Sequence, residues 1–267
     1  MAPAPRRPRG YDPARVLNAF ASQVESVRLA VAELTAEQRA RPSGLGDWDV
    51  DHLVVHLAYQ IDAVPRALTE PPPEATEPTV DLVTWALSTA QAAGQLDAQT
   101  RKEAAETDDP VTAVAAAAER LEPVLEDAVR TDWLLPHRIG AMRAVDFTLT
   151  RLVELVVHSD DLARATGVDV RLDRYAVACT ARLLADALAA KAPGRAVELR
   201  VPPFVAVQCV AGPRHTRGTP PNVVEMGPLT WIRVATGRVA WQKALDAAEI
   251  TASGPRADLS AQLPVLS

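Results

Sequence analysis

Apolar residues recur at spacings of three and four along the first part of the chain, and this period constrains the fold more than any other feature. The first series is Val16, Phe20, Val24, Val27, Val31 and Leu34. Such spacing places the residues on one face of an α-helix. Asp12 suits the N-cap position and Pro13 the first helical position. A first helix is therefore predicted over residues 13–34.

A second amphipathic helix is predicted to follow Trp48. Its apolar face consists of Val50, Leu53, Leu57, Ile61, Val64 and Leu68. Pro65 has no amide hydrogen and is expected to bend or end this helix. Three further helices are predicted at 79–106, 110–130 and 142–166. The last is expected to end at a left-handed Gly167, and the stretch 131–141 is predicted to be irregular.

The composition agrees with a helical core. Aromatic residues make up only 4% of a chain that is 48% hydrophobic, so the core must be built from Ala, Val and Leu, which suit close-packed helices. After Gly167 the pattern changes. One more helix is predicted at 172–191, followed by short strands and helices up to residue 252. The predicted fold class is an N-terminal all-α four-helix bundle followed by a small C-terminal α+β domain.

These patterns divide the chain into three parts. Residues 1–10 are predicted to form a disordered tail, 11–167 the helical bundle and 168–267 the α+β domain. The formal net charge of −6 makes nucleic acid an unsuitable partner. No run of about 18 apolar residues occurs, so no membrane span is predicted. Cys179 and Cys209 are too few for a disulfide framework, which favours the cytoplasm.

Three residues form the strongest candidate for a functional site. Glu154 and His158 are four residues apart on one predicted helix, and that spacing brings both side chains to the same face. His56, on the second predicted helix, could supply a third ligand. One carboxylate and two imidazoles form a typical catalytic zinc site with one open coordination position. Ni²⁺, Fe²⁺ and Mn²⁺ accept the same ligands.

Two further residues could assist this site. Asp161 lies on the same face as His158 and could accept a hydrogen bond from a ligand histidine. His52 lies about 40° around the helix from His56, and is a candidate for a fourth contact, a supporting group or a helix cap. The opposing interpretation is that an ExxxH pair is only a local ion pair and His56 a packed histidine. His137 and His215 are placed in loops and are assigned no ligand role.

Two segments resemble the mycothiol-dependent maleylpyruvate isomerase family. The stretch 48–57, in which His56 stands eight residues after Trp48, resembles the first metal-binding helix of the family. The stretch 151–162 resembles the second. The resemblance implies a DinB-like four-helix bundle with His56, Glu154 and His158 as metal ligands. It also implies mycothiol or a similar thiol as cosubstrate, with His52 and Asp161 near the metal or the thiol.

The last third of the chain resembles the bacterial sterol-carrier-protein-like domain that follows such bundles. The likeness lies in the stretches 218–238 and 252–260. The family resemblance also makes Arg238, after Gly237, a candidate for binding an anionic substrate. The implied function is a thiol S-transferase or isomerase that acts on a small electrophile, with a metal-bound thiol and no protein nucleophile. The alternative is a non-catalytic lipid or sterol carrier whose bundle serves docking or dimerisation.

Overall fold

The computed structural model describes residues 9–212 and 221–266. Most of the predicted tail and His215 lie outside these residues. The helices are α1 (Pro13–Ala32), α2 (Ala36–Arg39), α3 (Val50–Thr69), α4 (Leu82–Glu106), α5 (Pro110–Leu121), α6 (Ala144–Thr166), α7 (Arg174–Lys191), α8 (Pro228–Ala235) and α9 (Trp241–Asp246). The strands are β1 (Leu134–His137), β2 (Gly140–Arg143), β3 (Val197–Val201), β4 (Val205–Cys209), β5 (Val223–Met226) and β6 (Ile250–Ser253).

Four helices form a closed bundle. Helix α3 packs against α5 and α6, and α1 packs against the same two helices from the other side. The apolar stripe of α1 is buried as predicted, including Val16, Phe20 and Val27. Asp12 caps α1 by accepting a hydrogen bond from the Arg15 amide. The predicted fold class, a helical bundle followed by a small sheet-containing region, is confirmed.

Pro65 does not end α3, which continues to Thr69. The residues around this proline, Val64 and Ala67, are buried in the core, and this packing outweighs one missing backbone hydrogen bond. Helix α5 is shorter than predicted and ends at Leu121, followed by two 3₁₀ turns. Pro123 explains the change, because it cannot donate an intrahelical hydrogen bond.

The stretch predicted to be irregular contains a β-hairpin. Strands β1 and β2 pair antiparallel with His137 opposite Gly140. The hairpin is held to the segment before α4 by hydrogen bonds from the amides of Thr79 and Val80 to the Ala141 carbonyl oxygen. His137 therefore lies in a strand and not in a loop. Helix α6 begins directly after β2, so the hairpin fixes the start of this helix.

The C-terminal part contains a four-stranded sheet in the order β4-β3-β5-β6. Strands β3 and β5 are parallel, and the other pairs are antiparallel. Helix α7 contacts α1, α4 and α6 on the bundle side and β4 and α8 on the sheet side. It therefore joins the two parts of the fold. No helix within residues 9–212 and 221–266 has the length and hydropathy required to cross a membrane.

Candidate metal centre

His56 on α3 and the pair Glu154 and His158 on α6 come together inside the bundle. One ligand atom from each residue lies within 4.8 Å of the other two. The His158 Nε2 and Glu154 Oε2 atoms are 3.4 Å apart, and the two imidazole rings have centroids 4.8 Å apart. Two ligands about 2.1 Å from a tetrahedral ion are separated by about 3.4 Å. We call these three residues the trio.

The helices explain why the trio forms. Glu154 and His158 are one helical turn apart and share a face of α6. Helix α3 packs against α6, and His56 is among the buried residues of α3. The sequence pattern predicted that the helix of His56 would face the helix of Glu154 and His158, and α3 and α6 do so. The trio's ligand role remains a proposal.

Each histidine has its Nδ1 atom occupied by a partner outside the trio. The Nδ1 atom of His56 lies 3.1 Å from the Thr100 hydroxyl on α4, and the Nδ1 atom of His158 lies 3.1 Å from the Asp161 carboxylate. If both Nδ1 atoms carry the proton, each Nε2 atom presents a lone pair to which an ion can bind in place of its present partner. The donor set and its supporting groups fit a divalent cation.

The electrostatics of the trio are strongly coupled. Burial, and then the nearby His158, lower the pKa of His56 to about 3. Burial alone would raise the pKa of Glu154, but its hydrogen bond to His158 and the charges of His158 and Arg151 lower it to about 2. Burial also lowers the pKa of His158, but hydrogen bonds to Asp161 and Glu154 outweigh it and the net shift is upward. Glu154 is therefore held as a carboxylate.

Asp161 connects His158 to the C-terminal part of the chain. Its carboxylate accepts hydrogen bonds from His158 and, at 3.1 Å, from the Nη2 atom of Arg238. Both carboxylate oxygens of the neighbouring Asp160 accept hydrogen bonds from the guanidinium of Arg233 on α8, at 2.6 and 2.8 Å. Two adjacent carboxylates on α6 therefore each bind a different arginine of the C-terminal part.

A second polar network lies on the α3 side of the trio. Gln60 lies one turn after His56, and its amide nitrogen is 2.9 Å from the His56 Nε2 atom. The Gln60 carbonyl oxygen accepts a hydrogen bond of 2.7 Å from Arg151. The sequence interpretation missed Gln60, Arg151 and Thr100. The first two could have been found, since each lies three or four residues from a ligand; Thr100 is on a different helix and gave no such signal.

His52 and His137 lie apart from the trio. The His52 Nδ1 atom is 2.6 Å from the Asp49 carboxylate at the start of α3, and its ring stacks on Trp48 with centroids 6.5 Å apart. The His137 ring contacts Phe147 with centroids 6.2 Å apart. In the described part of the chain, neither belongs to the group of potential ligands. A role for His52 in thiol binding stays a prediction.

A cleft of about 440 Å³ opens beside the trio. It lies between the loop 42–46, α6 and the segment 236–238, and Asp161, Arg164 and Arg238 line it. Its size falls within the usual range for small-molecule sites. Because Asp161 lines the cleft and also contacts His158, the cleft adjoins the candidate metal centre.

Comparison with known proteins agrees with this arrangement. A model of the family described as the mycothiol maleylpyruvate isomerase N-terminal domain matches residues 20–163. The chain belongs to this family. A second family model, described as the bacterial SCP ortholog, matches residues 173–265. The resemblance inferred from the two motif stretches and the C-terminal segment is thereby confirmed.

Two solved structures share the fold of this chain. They are the mycothiol-dependent maleylpyruvate isomerase, with a TM-score of 0.56, and a histidine-to-alanine mutant of that enzyme, with a TM-score of 0.57. In each case the identity is 16%, and the match covers 91% of this chain and 93% of the other. No match was found among curated proteins. At this identity the likeness establishes the fold.

Proposed function

We propose that the protein is a metal-dependent enzyme that joins a low-molecular-weight thiol of the mycothiol type to a small electrophilic substrate. The observation that carries this proposal is the trio with its two supported imidazoles. His56 and His158 each have the Nδ1 atom bound by an outside partner, and the partly buried Glu154 is held as a carboxylate beside them. An ion held there would bring three ligand atoms, which lie within 4.8 Å of one another, to one centre. Zinc is the proposed ion because it prefers this ligand set.

His56, Glu154 and His158 would hold a divalent ion, which would lower the pKa of a thiol bound to it so that the sulfur would be a thiolate at neutral pH. The thiolate adds to an electrophilic carbon of the second substrate. The product is a stable S-conjugate in a transferase, or an adduct that eliminates after bond rotation in an isomerase. No side chain of the protein needs to act as the nucleophile. Cys179 and Cys209 are buried, and burial raises their pKa values to about 12 and about 11.

Arg238 is the proposed anchor for an anionic substrate. It lines the cleft beside the trio, and its guanidinium already binds the carboxylate of Asp161. A substrate carboxylate could share this guanidinium, since an arginine offers five N–H donors. The proposed role of Asp161 is to orient both His158 and Arg238.

The proposal is tested by the metal content of His158→Ala. The variant is expected to lose the ion while it keeps its helicity, because one of three ligands is gone and the rest of α6 is unchanged. His137→Ala is the matched control, since His137 lies outside the trio. Elemental analysis, circular dichroism and consumption of a thiol with a small electrophile are the measurements. Full zinc retention in His158→Ala would refute the ligand assignment.

Lipid or sterol carriage is the second candidate function. The match of residues 173–265 to the bacterial SCP ortholog family favours it. Native mass spectrometry of the purified protein separates the two functions. A bound apolar molecule, with no metal and no thiol consumption, would favour the carrier. Bound metal with thiol consumption favours the enzyme.

We further propose that the helical bundle ends at residue 167 and that the α+β domain begins at residue 168. The two family models end at 163 and begin at 173, on either side of this position. Gly167 ends α6 in the left-handed conformation, with φ of 77°. The unpaired cysteines are compatible with the proposed cytoplasmic location.

A further inference from the structure

We infer that Gln60, held in orientation by Arg151, is a hydrogen-bond donor to the thiol cosubstrate. The inference deepens the proposed function and rests on it. The juxtaposition that carries it is a buried amide whose nitrogen lies 2.9 Å from the Nε2 atom of His56 and whose oxygen lies 2.7 Å from a buried guanidinium. That imidazole nitrogen is the His56 atom which the trio offers to an ion.

The orientation of the Gln60 amide follows from its partners. A guanidinium can only donate hydrogen bonds, so the side of the amide that faces Arg151 must be the oxygen. The amide nitrogen then faces His56. Because this nitrogen carries only donors, the Nε2 atom of His56 must accept from it, which places the imidazole proton on Nδ1 toward Thr100. The network is consistent in only one arrangement.

Arg151 is itself fixed. Its Nε atom donates to the Thr150 hydroxyl at 3.0 Å, and its guanidinium lies over the Phe147 ring, 5.3 Å from the centroid. The Arg151 side chain is buried, and burial lowers the pKa of its guanidinium. If Gln60 turned away, this guanidinium would lose a buried acceptor, which is costly. Arg151 is therefore a positioning residue that keeps the Gln60 oxygen on its own side.

This arrangement has a consequence for the cosubstrate. An ion held at His56 would take the Nε2 lone pair that accepts from Gln60 in the structure, so the amide nitrogen would turn aside and its N–H groups would lose that acceptor, while the carbonyl oxygen remains on Arg151. The freed N–H groups would then lie beside an ion held by the trio, within reach of another ligand of that ion. An anionic sulfur there accepts a charge-assisted hydrogen bond, whereas a neutral ligand gains less. Gln60 thus favours the thiolate form of the cosubstrate.

The experiment uses the full-length protein loaded with cobalt(II), which reports thiolate binding through a sulfur-to-cobalt charge-transfer absorption. The probe thiol is 2-mercaptoethanol. The variant Gln60→Met has similar length and no N–H donor, and is expected to keep its cobalt and bind the thiol about tenfold to a hundredfold more weakly. Gln23→Met is the matched control, because Gln23 is also buried and hydrogen-bonded, to Ser159 at 3.0 Å. It should bind the thiol as the wild type does.

A second variant, Gln60→Glu, replaces the donor with a carboxylate of the same shape. It is expected to keep the ion and to lose the charge-transfer band, because two anionic groups would then face each other. An unchanged thiol affinity in Gln60→Met with cobalt retained would overturn the inference. Loss of cobalt in both Gln60 variants would also overturn it, because Gln60 would then be needed for the ion rather than for the thiol. A wild-type protein that binds neither cobalt nor thiol would instead refute the proposed function itself.

Discussion

The interior of the bundle and the core of the C-terminal part differ in what they bury. Between α3 and α6 the bundle buries ionisable and amide groups; they are His56, Gln60, Arg151, His158 and Asp161. The C-terminal core buries mainly apolar groups; they include Leu199, Val201, Val224, Trp231 and Ile232. Buried polar groups cost free energy unless every one has a partner. The contrast concentrates the buried polar groups in the bundle, while the C-terminal part packs against α7 and supplies Arg233 and Arg238.

The largest expected effect tests whether the apolar region is separable from the site. Trp231 is fully buried and its indole N–H donates to the Ala181 carbonyl oxygen at 3.0 Å. Trp231→Ala is expected to lower the free energy of unfolding by about 3–5 kcal/mol, measured by urea denaturation. The zinc content of the folded fraction should not change. If zinc were lost while the fold persisted, the two regions would not be independent.

The second prediction concerns Asp161, which contacts His158 in the bundle and Arg238 in the C-terminal part. Asp161→Asn should lower zinc affinity about tenfold to a hundredfold, because the amide supports the His158 imidazole less well than a carboxylate. Asp160→Asn is the matched neighbour, because Asp160 pairs with Arg233. It should reduce stability and leave zinc affinity unchanged. Competition with a chromophoric chelator measures both values; equal losses in the two variants would contradict the assigned role of Asp161.

A smaller effect is expected on the α3 side of the trio. Thr100→Val removes the hydroxyl beside the His56 Nδ1 atom but keeps the shape of the side chain. Zinc affinity should fall by up to about tenfold, because a neutral hydroxyl supports an imidazole less strongly than a carboxylate does. Thr180→Val, in α7, is the control, since its hydroxyl donates to the Ala176 carbonyl oxygen of its own helix. The same competition assay measures both variants, and equal losses would contradict the prediction.

The smallest effect concerns a histidine outside the trio. Burial lowers the pKa of His137 from 6.5 to about 4. Between these values the unfolded chain binds more protons at this residue than the folded chain, so the free energy of unfolding falls as the pH falls from 6.5 to 4. Because the side chain is partly exposed, the contribution is about 1 kcal/mol. His137→Gln in metal-free protein should reduce this loss in urea titrations, and an unchanged pH dependence would contradict the prediction.

The helices could be predicted because their signal is local. The apolar stripes of α1 and α3 repeat over about five turns, and Gly167 ends α6 where the sequence pattern places its end. The trio was predictable for a related reason. Glu154 and His158 share a helical face by spacing alone, and the motif resemblance then joined His56 to them.

The remaining features depend on contacts between distant parts of the chain. The β1–β2 hairpin contains Pro136 and only four residues per strand, so its sequence lacks a strand period. Its pairing depends on the segment at Thr79 and Val80. The parallel pairing of β3 with β5 and the contact of Arg238 with Asp161 likewise join residues that no local pattern relates.

The adjacent aspartates Asp160 and Asp161 limit how the two parts of the fold can be recombined. Each requires a guanidinium from α8 or the segment just after it. A chimera that grafted a foreign C-terminal half without both arginines would remove the guanidinium that pairs with each of these carboxylates, one of which contacts His158. Exchange of the halves between relatives would therefore succeed only when the acidic pair and the basic pair are inherited together.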